Sequence, residues 1–160
     1  MKNNTLKLTT AALIAASYVV LTLISQMMGL ASGAVQLRLS EALTILPVFT
    51  SAAVPGLAAG CLISNIMTGC NLADIVLGTS ATLIGAVITR RLGKTNPRLG
   101  PLGPILTNMA ILPVTLRYIY GADGTYLYFL VTIGIGEILA CGVLGLALYN
   151  GLKGKINWVE

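Results

Sequence analysis

Residues 41–69 read EALTILPVFTSAAVPGLAAGCLISNIMTG, and how this stretch divides decides the fold. Taken whole, it is one long apolar run. Taken in two, it breaks at the helix-disrupting pair Pro55-Gly56, into short segments at about 41–53 and 56–69. Neither half is long enough to cross the ~30 Å apolar layer of a bilayer comfortably. The division therefore predicts a tightly linked pair, tilted or shielded by its neighbours. Four longer apolar stretches flank it, at about 8–28, 72–91, 101–119 and 125–151, which makes six segments.

The basic residues favour the division. With a cytoplasmic N-terminus and six segments, Lys2, Lys7, Arg90, Arg91, Lys94, Arg98, Lys153 and Lys155 all fall inside. Only Arg38 and Arg117 fall outside, so eight of the ten basic residues share one side, as the positive-inside rule prefers. Merging 41–69 into one segment would put the N-terminus and the 90–98 cluster on opposite sides. The positive charge is thus topological, and nucleic acid is not an expected partner.

Composition agrees. The chain has 160 residues, 56% hydrophobic and only 9% charged, where a soluble domain carries about a quarter charged. An integral membrane protein is expected, with 1–160 as a single all-α domain in contact with lipid. The first run exceeds the roughly 7–15 apolar residues of a secretory signal and is expected to span. There is no histidine, the commonest general base. Cys61, Cys70 and Cys141 lack metal-ligand spacing. An enzyme is disfavoured, and neither a metal nor a cofactor is expected.

Polar residues mark the places where something could be recognised. Arg38, Glu41, Asn71, Asp74, Arg117, Tyr118, Asp123 and Tyr126 collect on the outer side. Glu137 lies about twelve residues into the last segment, roughly 18 Å deep, and Asn108 reaches nearly the same depth in the fifth. Asn65 lies near the outer end of the third. An ionisable group at such depth reads as functional by default, whereas asparagines also bond simply from helix to helix. Arg38 and Glu41 have two readings. They could pair at i, i+3 with Ser40 capping the helix, or Glu41 could point into an outer pocket. Ala11, Ala12, Ala15 and Ala16 give two overlapping AxxxA spacings on the first segment. Small residues four apart admit a close helix neighbour, either in this chain or in a separate membrane partner.

Four blocks together resemble a known family: VQLRLSEALTILPVFTSAAVPGLAAGCLISN (35–65), ADIVLGTSATLIGA (73–86), PILTNMAILP (104–113) and GIGEILACGVLG (134–145). They are similar to the queuosine-precursor transporter (QueT) family, substrate-binding S components of energy-coupling factor (ECF) transporters. The likeness covers about 10–150. It implies a six-helix S-component fold in a bacterial cell membrane, with both termini cytoplasmic. It also implies uptake of a 7-deazaguanine, either 7-aminomethyl-7-deazaguanine or queuine, driven by ATP. Since the chain has no GxxxxGK[ST] motif, hydrolysis would fall to two ATPase subunits joined through a shared transmembrane coupling subunit. Under this resemblance Glu137 would accept the guanine-like edge and Asn108 would read another edge. Glu41 or Asp74 would pair the aminomethyl cation, and Tyr118 or Tyr126 would stack on the ring. The alanine spacing resembles the docking motif for the coupling subunit. Two alternatives stay open: an S component for another vitamin or base, and a stand-alone proton-coupled carrier using Glu137.

Overall fold

The computed structural model describes residues 2–30 and 35–155, and all its regular structure is helical. Helix α1 is Lys2–Met27, followed by a 3-10 helix at Leu39–Val48 and α2 at Ala53–Met67. Then come α3 at Leu72–Thr95, a short 3-10 turn at Pro97–Leu99, and α4 at Leu102–Val114, which runs on as a π-helical stretch, Thr115–Ile119. The last rod is continuous. It comprises α5 at Tyr126–Glu137, a π-helical stretch at Ile138–Leu144, and α6 at Gly145–Leu152. Asn4–Met27, Leu72–Thr95, Pro97–Ile119 and Tyr126–Leu152 are long and apolar enough to cross a membrane. Leu39–Val48 and Ala53–Met67 are apolar but shorter, rising about 20 Å each at 3-10 and α pitch. Residues 31–34, part of the polar connection after the first segment, lie outside the described residues.

The division of 41–69 holds, but it falls earlier than Pro55-Gly56. The break is at 49–52, and Pro55 sits in the first turn of α2. There a proline costs no hydrogen bond, because the first-turn N–H groups have no partner within the helix. Pro47 lies inside the 3-10 helix near its end instead. At Gly69, just past α2, φ is +72°, a left-handed turn that glycine takes without strain and that starts the return into α3. Asn71 caps that return, its side chain accepting the Ala73 N–H at 3.0 Å. Thr125 caps α5 in the same way, accepting from Tyr128 N at 3.2 Å.

Packing follows chain order: α1 on α2, α2 on α3, α3 on α4, α4 on α5. The 3-10 helix sits among α1, α3, α6 and the second π-helical stretch. The apolar core gathers Ile14, Tyr18, Leu46, Ala53, Leu57, Cys61 and Ala86, while large apolar side chains such as Leu13, Ile66, Leu72 and Val143 face outward. Outward-facing apolar side chains suit a lipid surround.

The α1–α2 seam divides the alanine pattern between its two readings. A β-carbon at Gly56 would stand 2.7 Å from the Ala11 carbonyl oxygen, and one at Gly60 would stand 3.0 Å from that of Ala15. Ala11 and Ala15 therefore pack within the chain, against Gly56-x-x-x-Gly60. Ala12 and Ala16, about 100° further round the helix, are exposed.

Candidate functional site: a buried carboxylate pair

The 3-10 helix is built to present side chains at every third position, since residues i and i+3 eclipse at three residues per turn. Glu41, Thr44 and Pro47 accordingly share one buried face. The helix start is not capped by Ser40, as the sequence allowed. Its cap is tertiary: Ser25 of α1 accepts the Leu39 N–H at 2.8 Å. Ser40 lies inside the helix and accepts from Thr22 at 2.8 Å.

These contacts carry Glu41 inward. The Tyr18 hydroxyl donates to Glu41 Oε1, and Tyr18 lies nine residues before the end of α1 at Met27, about 14 Å along the helix. Sequence reasoning put Glu41 at the mouth; the fold places it deep. The cause is the short non-helical piece before it. Leu37 N donates to Leu30 O at 2.9 Å, and two residues on the chain is already at Ser25. A β-carbon at Gly136, mid-way along the last rod, would overlap the Gln36 carbonyl oxygen. Irregular backbone at this depth is tolerated where it is covered by protein or lines a cavity. Gly136→Ala is therefore expected to push the 35–38 segment off the last rod. Limited proteolysis or cysteine accessibility at Gln36 should rise, with helix content unchanged.

Opposite Glu41 stands Glu137. Asn108 Nδ2 donates to Glu137 Oε1 at 2.8 Å, so the two residues counted to equal depth do meet. Cys141 Sγ lies 3.2 Å from Glu137 Oε2, accepts from Thr44 at 3.4 Å and approaches the Glu41 carbonyl at 3.5 Å. One carboxylate oxygen of Glu41, one of Glu137 and the Cys141 sulfur lie within 4.8 Å of one another, and all three residues are buried. Cys141 belongs to the π-helical stretch that begins just after Glu137, a backbone form frequent at functional sites. Glu41 Oε2 is buried and accepts no hydrogen bond among the described residues, so Arg38 does not hold that oxygen.

Two spaces adjoin this pair. The inner cavity, lined by Glu41, Asn108, Glu137, Thr82 and Cys61 among others, has a volume of about 20 Å³, room for about one water. A wider vestibule of about 360 Å³ is lined by Thr22, Gln26, Thr68, Asp74, Leu116 and Tyr120. Gln36 and Arg38 line both spaces and stand between them.

The other sequence-nominated residues are dispersed. Asp74 is in the vestibule wall and accepts from the Tyr120 hydroxyl at 3.1 Å. That hydroxyl in turn accepts the Asn71 N–H at 3.0 Å. Partial burial lifts the Tyr120 hydroxyl above its ordinary value; the Asn71 N–H works the other way, and Asp74 adds to the rise. Asn65 is buried against Cys61, its amide 3.5 Å from the sulfur. Arg117, Tyr118 and Tyr126 are away from both spaces. Arg117 lies over the Tyr118 ring at 5.7 Å and both are exposed, as is Tyr126 at the start of α5. Tyr18, Gln36, Cys141 and Tyr120 were missed from sequence. Tyr120 alone had a signal, standing two residues from Tyr118 beside a helix end.

The chain matches the QueT transporter family over residues 8–154. It is similar to the queuosine precursor transporter QueT of Lactococcus lactis subsp. cremoris, 31% identical over 83 residues. That alignment covers 52% of this chain and 48% of the relative, about half the relative's length. No solved structure matches the chain. The family match takes in most of the first long apolar helix, the other three whole, and both Glu41 and Glu137, and the chain belongs to the QueT transporter family.

Proposed function

We propose that this protein is the substrate-capturing S component of an ECF importer in a bacterial cell membrane, and that it takes up a queuosine precursor, 7-aminomethyl-7-deazaguanine or queuine. The observation that carries the reading is the buried Glu41–Asn108–Glu137 set beside a cavity, inside a bundle whose long helices turn large apolar side chains outward. A guanine-like edge presents adjacent N–H and NH2 donors, which one carboxylate accepts in bidentate fashion. Glu137 takes that role. Each of its oxygens has one protein donor and retains a second lone pair. Asn108 fixes the Glu137 rotamer and reads a further edge. Glu41, with an uncommitted oxygen, pairs the ligand's cation. Asp74, in the vestibule, meets that cation first.

A bicyclic base does not fit in about 20 Å³. Admission therefore requires Gln36 and Arg38 to give way, joining the vestibule to the inner cavity. Both termini are cytoplasmic in this reading, which puts the vestibule outside, and 1–160 acts as one domain. ATP is hydrolysed by two ATPase subunits and reaches this chain through a transmembrane coupling subunit. The exposed Ala12 and Ala16 suit that contact, since small residues let a second helix approach closely. Ala12→Trp is expected to abolish ATP-driven uptake in reconstituted vesicles while ligand affinity stays within about twofold. Loss of both would place Ala12 in the fold rather than at an interface.

Titrating purified protein with 7-aminomethyl-7-deazaguanine and queuine, against riboflavin, thiamine and biotin, tests the substrate. Binding of the deazaguanines alone supports the assignment; binding of a vitamin in their place refutes it. The same protein in liposomes without partners should show no sustained uptake under a pH gradient.

A further inference from the structure

The two buried carboxylates are unequally partnered. Glu137 has a donor for each oxygen, Asn108 Nδ2 at 2.8 Å and Cys141 Sγ at 3.2 Å. Glu41 has one, from Tyr18; its Oε2 is buried and unpartnered among the described residues, and Glu41 lines the inner cavity. Glu41 itself is only 3% exposed. One oxygen of each carboxylate and the Cys141 sulfur fall within 4.8 Å of one another. Two carboxylates this close, out of water, do not both ionise without a compensating cation.

The groups facing Glu41 can be taken element by element. Helix α1 supplies Tyr18, the non-helical connection supplies Arg38, α2 supplies Cys61, and the last rod supplies Glu137 and Cys141. Helix α4 supplies uncharged Asn108. Helix α3 supplies Thr82 on the cavity side and Asp74 on the vestibule side. Phenols and thiols are neutral near pH 7. The inner cavity thus holds two carboxylates against one guanidinium, an excess of one negative charge. Asp74 lies in the vestibule wall, hydrogen-bonded to Tyr120, and is outside that count.

We propose that the empty site balances this excess with a proton on Glu41 Oε2, and that a cationic ligand displaces it, so that each bound ligand cation releases one proton. The inference rests on the functional reading above. As the ligand's ammonium arrives, the Glu41 O–H bond breaks, the proton leaves through the vestibule to water, and the carboxylate pairs with the ammonium. No electrons are transferred, and the charge in the cavity is the same before and after. A ligand with the same guanine-like edge but no cation is held by Glu137 and leaves the proton where it is.

Isothermal titration of the purified protein tests this. The probes are 7-aminomethyl-7-deazaguanine and neutral 7-deazaguanine, each titrated in two buffers of different ionisation enthalpy between about pH 5 and about pH 8. The cationic ligand should release about one proton per molecule bound. Its affinity should rise about tenfold per pH unit and then level off once Glu41 is already ionised. The neutral ligand should release none and show a flat profile. In Glu41→Gln, both the release and the pH slope for the cationic ligand should vanish. Binding of the cationic ligand without proton release throughout this range overturns the proposal alone, as does equal release by the neutral ligand. Failure of both ligands to bind overturns the functional reading and this inference with it. Should Glu41→Gln not fold, the two ligands compared on the native protein decide the matter.

Discussion

Glu137→Gln should cost roughly 2–5 kcal/mol of ligand binding, a loss of thirtyfold to several thousandfold, while leaving the protein folded. Gln is nearly isosteric, and its carbonyl oxygen can still accept from Asn108 Nδ2, which donates to Glu137 Oε1 at 2.8 Å in the native chain. The amide NH2 then replaces Oε2, the oxygen beside Cys141 Sγ, and faces sulfur, a weak acceptor. The local fold loses little. The ligand loses one of two acceptors and meets a donor in its place, so one of its N–H groups is buried without a partner. Titration calorimetry gives the affinity and thermal unfolding in detergent gives the stability. Unchanged affinity would remove Glu137 from the recognition of the base.

Gly60→Leu should produce the largest loss of stability. A β-carbon there would stand 2.7 Å from Tyr18 Cβ and 3.0 Å from the Ala15 carbonyl oxygen. Neither is the tip of a flexible side chain, so α1 must move away from α2. Overpacking of this kind costs about 3 kcal/mol or more. The displacement also pulls Tyr18 from Glu41 Oε1, so ligand affinity should fall with the unfolding temperature. Gly60→Ala should show the same two effects, reduced. A Leu variant as stable as the native protein would mean that α1 and α2 do not pack as described.

The four long segments were legible because each is a long apolar run bounded by glycine, proline or charge. The reading 125–151 became Tyr126–Leu152, and 101–119 became Pro97–Ile119. Counting residues from the outer ends brought Asn108 and Glu137 to one depth, and their hydrogen bond confirms that they are neighbours. Rotation about the helix axes was not legible. In a chain apolar on every face, periodicity does not say which face points inward, so Tyr18, Cys61 and Cys141 looked like ordinary apolar positions. The 3-10 geometry was equally hidden. In an α-helix Glu41, Thr44 and Pro47 would fan over about 120°; the 3-10 turn stacks them in one row. The dip of residues 35–38 into the bundle depends on Gly136, a hundred residues away in sequence, and nothing local announces it. Polar residues at the helix ends show the same limit. Asn71 caps a helix and Arg117 stacks on Tyr118, surface tasks that composition alone does not distinguish from binding.

The central claim is that the ligand lies between the two buried carboxylates. A structure of the protein with 7-aminomethyl-7-deazaguanine tests it most directly. The account predicts the base edge against Glu137 and Asn108, the aminomethyl group against Glu41 Oε2, and Gln36 and Arg38 displaced to make room. A ligand confined to the vestibule beside Asp74 and Tyr120, with the Glu41–Glu137 cavity still closed, would contradict it.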